Sequence, residues 1–142
     1  MLKNIPVLMP PELMKIMLEM GHGDELLLCD GNYPKFGCPE RCVRMDGYGI
    51  CEILDMILVF FPLDAYAQHP TALMAVVPGD PYKPEIWSQY RAIGHKHEPD
   101  GLREETLEKP AFYERGRRCY ACVATGESAL YANVILKKGV VK

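Results

Sequence analysis

Gly21-His22-Gly23-Asp24-Glu25-Leu26-Leu27-Leu28-Cys29-Asp30-Gly31-Asn32 is the segment from which the rest of the chain is read. An apolar-periodic segment ends at Met20, and His22 then stands between two glycines, which give the backbone the freedom to end a helix and turn. Such a turn presents the imidazole rather than packing it. The run Leu26-Leu27-Leu28-Cys29 is too short to show helical periodicity and reads as a buried strand, delivering Asp30 at its carboxyl end ahead of Gly31-Asn32. Ligand crevices in open α/β sheets lie beyond such strand ends. Histidine titrates near neutrality and aspartate orients hydroxyl groups, so the two have the chemistry of a proton-transfer site. The same residues also fit a plain loop histidine beside an Asx turn.

Upstream, residues 1–9 form a lead-in with alternating apolar positions, and Pro10-Pro11-Glu12 marks a helix start, with proline and an acid in the first turn. Leu13, Ile16, Met17 and Met20 fall at helical spacing as one buried stripe. Downstream, residues 31–42 form a Gly- and Pro-rich loop carrying Asn32, Tyr33 and Phe36, and residues 41–46 are a candidate short strand. Residues 50–61 predict a helix that is apolar nearly all round, stopped by Pro62, with Leu63-Asp64-Ala65-Tyr66 as a turn. Residues 72–77 read as a second buried strand, closed by Pro78-Gly79-Asp80-Pro81. Pro84-Glu85 opens a helix with Ile86, Trp87, Tyr90 and Ile93 on one face; its His95 and His97, two apart, share no face and read as solvated. Residues 102–109 are an edge strand or an irregular link, 112–115 a short helical turn, and 119–125 and 133–138 strands. Strands alternating with helices predict an α/β fold, a single domain over residues 1–142 with a mostly buried β-sheet flanked by helices.

Composition bounds the function. With 49% hydrophobic and 25% charged residues the chain belongs with globular proteins, and a net charge of -3 gives no reason to expect nucleic acid as a partner. The N-terminus lacks the apolar core of a signal peptide, and the longest greasy run, 50–61, contains Glu52 and Asp55 and is too short to cross a bilayer. The expectation is a cytoplasmic protein without a membrane partner. Six cysteines include the metal-like spacings Cys38-x3-Cys42 and Cys119-x2-Cys122. Disulfides are not expected without a secretory signal. Residues three apart on a strand point to opposite faces, so Cys119 and Cys122 cannot chelate together, and free thiols are expected.

A chain-long set of motifs then carries a resemblance. These are Pro-Glu-Leu at 11–13, Glu-Met-Gly-His-Gly-Asp-Glu at 19–25, Asp30 with Asn32 and Pro34, and Asp46-Gly47. Pro62-Leu63-Asp64, Phe112-Tyr113-Glu114-Arg115, Thr125-Gly126-Glu127, Tyr131-Ala132-Asn133 and Leu136-Lys137-Lys138-Gly139 follow in order. Together they resemble the L-fucose mutarotase and D-ribose pyranase family, and the Phe-Tyr-Glu-Arg, Thr-Gly-Glu and Leu-Lys-Lys-Gly pieces are closer to its fucose branch. The resemblance implies a ribose pyranase-like fold and an isomerase that exchanges the α and β anomers of L-fucose without metal or other cofactor. It implies His22 as general acid and base, with Asp64 and Tyr113 assisting; on the chemistry of ring opening, Tyr113 with Asp64 beside it is the candidate second proton carrier. It also implies Asp30, Tyr131 and Asn133 as holders of sugar hydroxyls and Met74 as a sugar contact. Lys109 stands where some bacterial members carry arginine and offers a single charge without the planar fork. Ala132 replaces a common glycine and would resist a positive φ.

The partners implied are L-fucose and further copies of the chain, in a ring for which ten is the candidate number, with sites near subunit contacts. Geometry points the same way: a fully extended 24–30 segment separates His22 from Asp30 by about 20 Å at roughly 3.3 Å per residue, too far for one monosaccharide. Either the segment bends early or His22 meets Asp30 of another copy. A mutarotase of another sugar such as ribose, a non-catalytic sugar-binding protein, and a zinc-bound structural protein remain as alternatives.

Overall fold

The leucine run forms β1 (Glu25–Cys29), and the sheet is arranged about it. In the computed structural model, which describes all of Met1–Lys142, β1 pairs in parallel with β5 (Ala121–Thr125) on one side and antiparallel with β6 (Val134–Lys137) on the other. β2 (Cys42–Met45) pairs in parallel with β5 at one edge. Beyond β6, β3 (Thr71–Met74) runs antiparallel to it and parallel to the edge strand β4 (Glu104–Leu107), giving the order β2-β5-β1-β6-β3-β4. The helices are α1 (Pro11–Glu19), α2 (Ile50–Leu58), α3 (Ile86–His97) and α4 (Lys109–Arg117).

Strand periodicity divides the core. Leu26, Leu28, Val123, Val134, Leu136 and Leu73 face a large cluster with Leu13 and Met17 of α1, Ile53, Leu54 and Ile57 of α2, and Tyr90 of α3. Leu27, Cys29, Cys122, Ile135, Ala72 and Met74 point the other way, against Phe112 of α4. Because both faces are covered, β1 is apolar throughout its centre rather than alternating.

Several expectations are refined. The lead-in over residues 1–9, with its alternating apolar positions, is built of turns. The helix predicted over 50–61 ends at Leu58 and tightens, with Phe60 N–H donating to the Ile57 carbonyl at 3.0 Å before Pro62. The strand predicted over 72–77 leaves the sheet after Met74, residues 104–107 are the edge strand, and the short turn at 112–115 belongs to a nine-residue helix with Pro110 in its first turn. His97 is not solvated: its side chain is 14% exposed and Nε2 lies 2.6 Å from Asp55 Oδ1 on α2. Packing of α2 against α3 supplies this partner, which spacing along α3 alone does not reveal.

A close backbone approach fixes the segment after α2. Gly139 N–H donates to the Pro62 carbonyl at 2.7 Å, and Asp64 N–H donates to the Lys137 carbonyl at 3.1 Å. A Cβ at Gly139 would lie 2.6 Å from the Leu63 carbonyl oxygen, so only glycine lets the two backbones meet there. Asp64 is thereby held beside the outgoing end of β6. No helix is long and apolar enough to cross a membrane. For the core, Leu54→Ala should lower stability by about 2–5 kcal/mol, whereas Glu40→Ala on the exposed surface should stay within about 0.5 kcal/mol. Urea denaturation at fixed protein concentration measures both.

Candidate functional site

At the amino end of β1, Gly23 adopts φ +88 and its N–H donates to the Lys138 carbonyl at 2.8 Å. Gly21 N–H donates to Asp24 Oδ2 at 2.7 Å, closing the turn from its other side. These bonds hold out His22, whose side chain is 47% exposed, with Nε2 3.0 Å from Asp64 Oδ1. Asp64 itself is buried, with a side chain 7% exposed. Burial works to raise its pKa, but the Tyr66 N–H donating to Oδ1 at 3.1 Å and the His22 ring outweigh it, leaving the carboxyl below its usual range. An ionised carboxylate only accepts, so the Nε2 that it holds carries the proton and Nδ1 is left as the basic nitrogen. Arg103, at φ 49, fastens the segment by donating to the Asp64 and Ala67 carbonyls at 2.7 and 2.8 Å. The Tyr66 ring lies 5.6 Å from the imidazole, centroid to centroid.

At the carboxyl end of β1 a cleft of about 280 Å³ gathers Asp30, Met74, Lys109, Tyr113, Tyr131 and Asn133, together with Asn32, Tyr33, Val77, Asp80 and Leu130. Asn133, at the entrance to β6 and 4% exposed, accepts the Asp30 N–H through Oδ1 at 2.7 Å. Asp30 Oδ1 accepts the Asn32 N–H at 3.0 Å in an Asx turn. Burial raises the Asp30 pKa against these bonds, and the Glu127 charge adds to the rise. Tyr113 projects from α4 between Tyr33 and Phe36, with edge-on ring centroids at 5.4 and 5.3 Å, and its pKa is raised by burial and then by the Asp30 charge. Lys109, in the first turn of α4, places Nζ 5.8 Å from the Tyr113 ring centroid.

Tyr131 donates to Asp80 Oδ2 at 2.6 Å and accepts the Val77 N–H at 3.3 Å. It is Tyr131, at φ 56, and not Ala132, that takes the left-handed conformation. The substitution of alanine for glycine at 132 therefore meets no positive angle. Trp87 Nε1 donates to the Tyr131 carbonyl at 2.8 Å and the Tyr90 hydroxyl to the Ala132 carbonyl at 2.7 Å, holding the turn open towards the cleft. Asp80 carries no signal of its own in the sequence, because Pro78-Gly79-Asp80-Pro81 is fully explained as a turn.

His22 and Asp64 lie at one end of β1, and the other named residues at the opposite end. Within one chain Asp64 therefore does not stand beside Tyr113; its partner is His22. The reason is the antiparallel pairing of β6 with β1, which puts Lys137 opposite Glu25 and brings the 62–64 segment to the amino end of that strand. The 24–30 segment does not bend early, since Glu25–Cys29 is regular strand. Cys119 and Cys122 likewise do not meet around an ion: the Cys119 thiol donates to the Arg115 carbonyl at 3.5 Å.

A model of the RbsD / FucU transport protein family matches residues 3–141. An L-fucose mutarotase of Actinobacillus pleuropneumoniae serotype 5b is 42% identical over 140 residues, covering 99% of this chain and 97% of its own. A fucose mutarotase of Danio rerio is 44% identical over 146 residues, covering 99% and 94%. The crystal structure of the fucose mutarotase in complex with L-fucose from Streptococcus pneumoniae superimposes with a TM-score of 0.93 at 48% identity, covering 99% of this chain and all of that one.

The two aspartates should respond to pH with opposite signs. A carboxyl held below its unfolded pKa stabilises the fold above the ordinary aspartate range and loses that contribution as pH falls through the lowered value. A carboxyl held above its unfolded pKa penalises the fold once pH rises through the raised value. Asp64→Asn should therefore be less stable than the parent near neutrality, and Asp30→Asn more stable, with both gaps closing as pH drops below about 4. Urea denaturation of the three proteins across that range measures the curves.

Proposed function

Because the chain belongs to the RbsD / FucU transport protein family, we propose that it is an L-fucose mutarotase, an isomerase that exchanges the α and β anomers of the free sugar. The observation that supports this best is the pairing of an exposed imidazole with a buried, ionised carboxylate, together with a separate cleft of uncharged and carboxylate oxygens at the other end of the same strand. Mutarotation removes the anomeric hydroxyl proton, delivers a proton to the ring oxygen and breaks the bond between C1 and that oxygen. Rotation about the C1–C2 bond and closure on the other face reverse the proton movements. His22 Nδ1 takes the proton while Asp64 fixes the ring and stabilises the imidazolium that forms. Asp30 and Asn133 hold hydroxyls, Tyr131 is aimed by Asp80, and Met74 and the Tyr33 and Tyr113 rings cover the apolar face of the sugar. Tyr113, whose phenol keeps its proton, is the candidate second proton carrier.

A sugar bound in the cleft of one chain is out of reach of that chain's own His22, so the reading includes self-association, with His22 and Asp64 of one copy completing the Asp30 cleft of another. This accords with the ring-shaped assembly that the resemblance implies; the composition's expectation of a cytoplasmic protein is kept as part of the reading. In saturation-transfer NMR, His22→Ala should still bind L-fucose while anomer exchange falls about a hundredfold or more; undiminished exchange removes His22 from the mechanism. Mixing His22→Ala with Tyr113→Phe under subunit exchange should recover about a quarter of the parent activity, because that share of sites combines two intact halves. Failure to recover any excludes the shared site.

A further inference from the structure

Four of the six cysteines converge on one patch of the sheet. The sulfurs of Cys29 at the end of β1, Cys38 in the loop after the turn at Lys35–Gly37, and Cys122 in β5 all lie within 4.8 Å of one another. Cys42 stands directly opposite Cys122 in the β2–β5 register, on the same face. None is in a disulfide. Cys29 and Cys122 are buried, while Cys38 and Cys42 are half-buried and, with Cys29, line a cleft of about 330 Å³ that also contains Lys35 and Arg44. The remaining two thiols are elsewhere: Cys119 donates to the Arg115 carbonyl, and Cys51 to Gln89 Oε1 at 3.2 Å.

A buried cysteine ordinarily behaves as a small hydrophobe packed among carbon atoms. Three that turn their sulfurs towards one another, with a fourth facing them, form a donor set instead. Sulfurs around a tetrahedral ion at about 2.3 Å are about 3.8 Å apart, so the trio need close by no more than about 1 Å. We propose that Cys29, Cys38 and Cys122 are thiolate ligands for one soft closed-shell cation, Zn²⁺ or Cu⁺, with Cys42 as the fourth donor at the open side of the cleft. On binding, each thiol releases its proton to solvent as its bond to the cation forms, and nothing is oxidised or reduced. Three thiolates around Zn²⁺ leave a single negative charge, and around Cu⁺ two, with one more if Cys42 joins; Lys35 lines the same cleft and offsets part of it, whereas Arg44 is held by Asp46, its Nε donating to Oδ2 at 3.1 Å. Softness selects both ions over Mg²⁺ or Ca²⁺; three-coordinate binding favours Cu⁺, and recruitment of Cys42 favours Zn²⁺.

The location ties this site to the neighbouring cleft without depending on which sugar that cleft takes. Asp30 and Tyr33 line both clefts, Cys29 is joined directly to Asp30, and Tyr33 lies on the loop between Asp30 and Cys38. A cation there fastens the loop bearing Tyr33 to β1 and β5, fixing one wall of the sugar cleft.

The test uses the full-length assembled protein, reduced and stripped by chelator under nitrogen, with six titratable thiols per chain verified after unfolding. It is challenged separately with Zn²⁺ and Cu⁺ against chromophoric competitors, and with Co²⁺ as a spectroscopic stand-in. One cation per chain and a thiolate-to-Co²⁺ charge-transfer band are expected. Cys38→Ser, at a half-buried position, should weaken binding about tenfold or more, while Cys51→Ser should bind like the parent. Retention of Zn²⁺ but not Cu⁺, or the reverse, assigns the ion. Substoichiometric binding, absence of the thiolate band, or equal affinity in Cys38→Ser and Cys51→Ser overturns the proposal, as does a Cys29–Cys38 or Cys38–Cys122 disulfide forming in protein whose reduced state binds neither ion.

Discussion

A strand buried on both faces and paired on both sides has nowhere to put its chemistry except at its ends. β1 is in that position, with β5 and β6 taking its backbone groups and two apolar clusters taking its side chains. Every polar residue of the candidate site is accordingly displaced to one end or the other. The turn at 21–24 feeds in the imidazole, and Asp30 emerges where the ladder stops. The two halves are kept apart by the length of a rigid element, and no side-chain rearrangement within one chain brings them together.

Each half is prepared differently. The His22 end is electrostatically settled, because Asp64 gains more from a backbone N–H and the imidazole than burial costs it. The Asp30 end is not settled: burial and a neighbouring carboxylate hold its pKa up, and the Tyr113 phenol beside it is raised as well. A carboxyl whose charged form is disfavoured by burial has the most to gain from hydroxyl donors. A disfavoured charge at the Asp30 end and order at the His22 end suit the proposed division of labour, in which one end holds a neutral substrate and the other shuttles protons reversibly.

Much of this was legible from residues alone. Leu26-Leu27-Leu28 between turn signals identified a buried strand, though not its central place in the sheet, and Gly21 and Gly23 identified an exposed histidine. The His22–Asp64 pairing was not legible, since 42 residues separate the two and only the β6 register brings them together. The same limit hid the thiol cluster, whose members come from two central strands, an edge strand and a loop. Spacing rules search along the chain: they marked Cys38 with Cys42 and Cys119 with Cys122, but they joined Cys122 to Cys119, which lies outside the cluster, and gave no sign of Cys29. Similarly, Ala132 drew notice as a substituted glycine, whereas the strained backbone belongs to Tyr131, where the Trp87 and Tyr90 hydrogen bonds hold the neighbouring carbonyls. The edge strand β4 escaped a firm reading because its exposure leaves little hydrophobic pattern.

The placement of β6 bears on how a ribosome must deliver this protein. Until residues 134–137 are synthesised, the sheet exists at most as two fragments, β2-β5-β1 and β3-β4, each with a bare interior border that the other cannot cover. The seam joining them is the sixth strand in chain order, and β1 and β2 wait for β5 at residues 121–125 before they can be joined at all, so the nascent polypeptide holds its strands unpaired or open-bordered until late in synthesis, the interval in which chaperone engagement counts most.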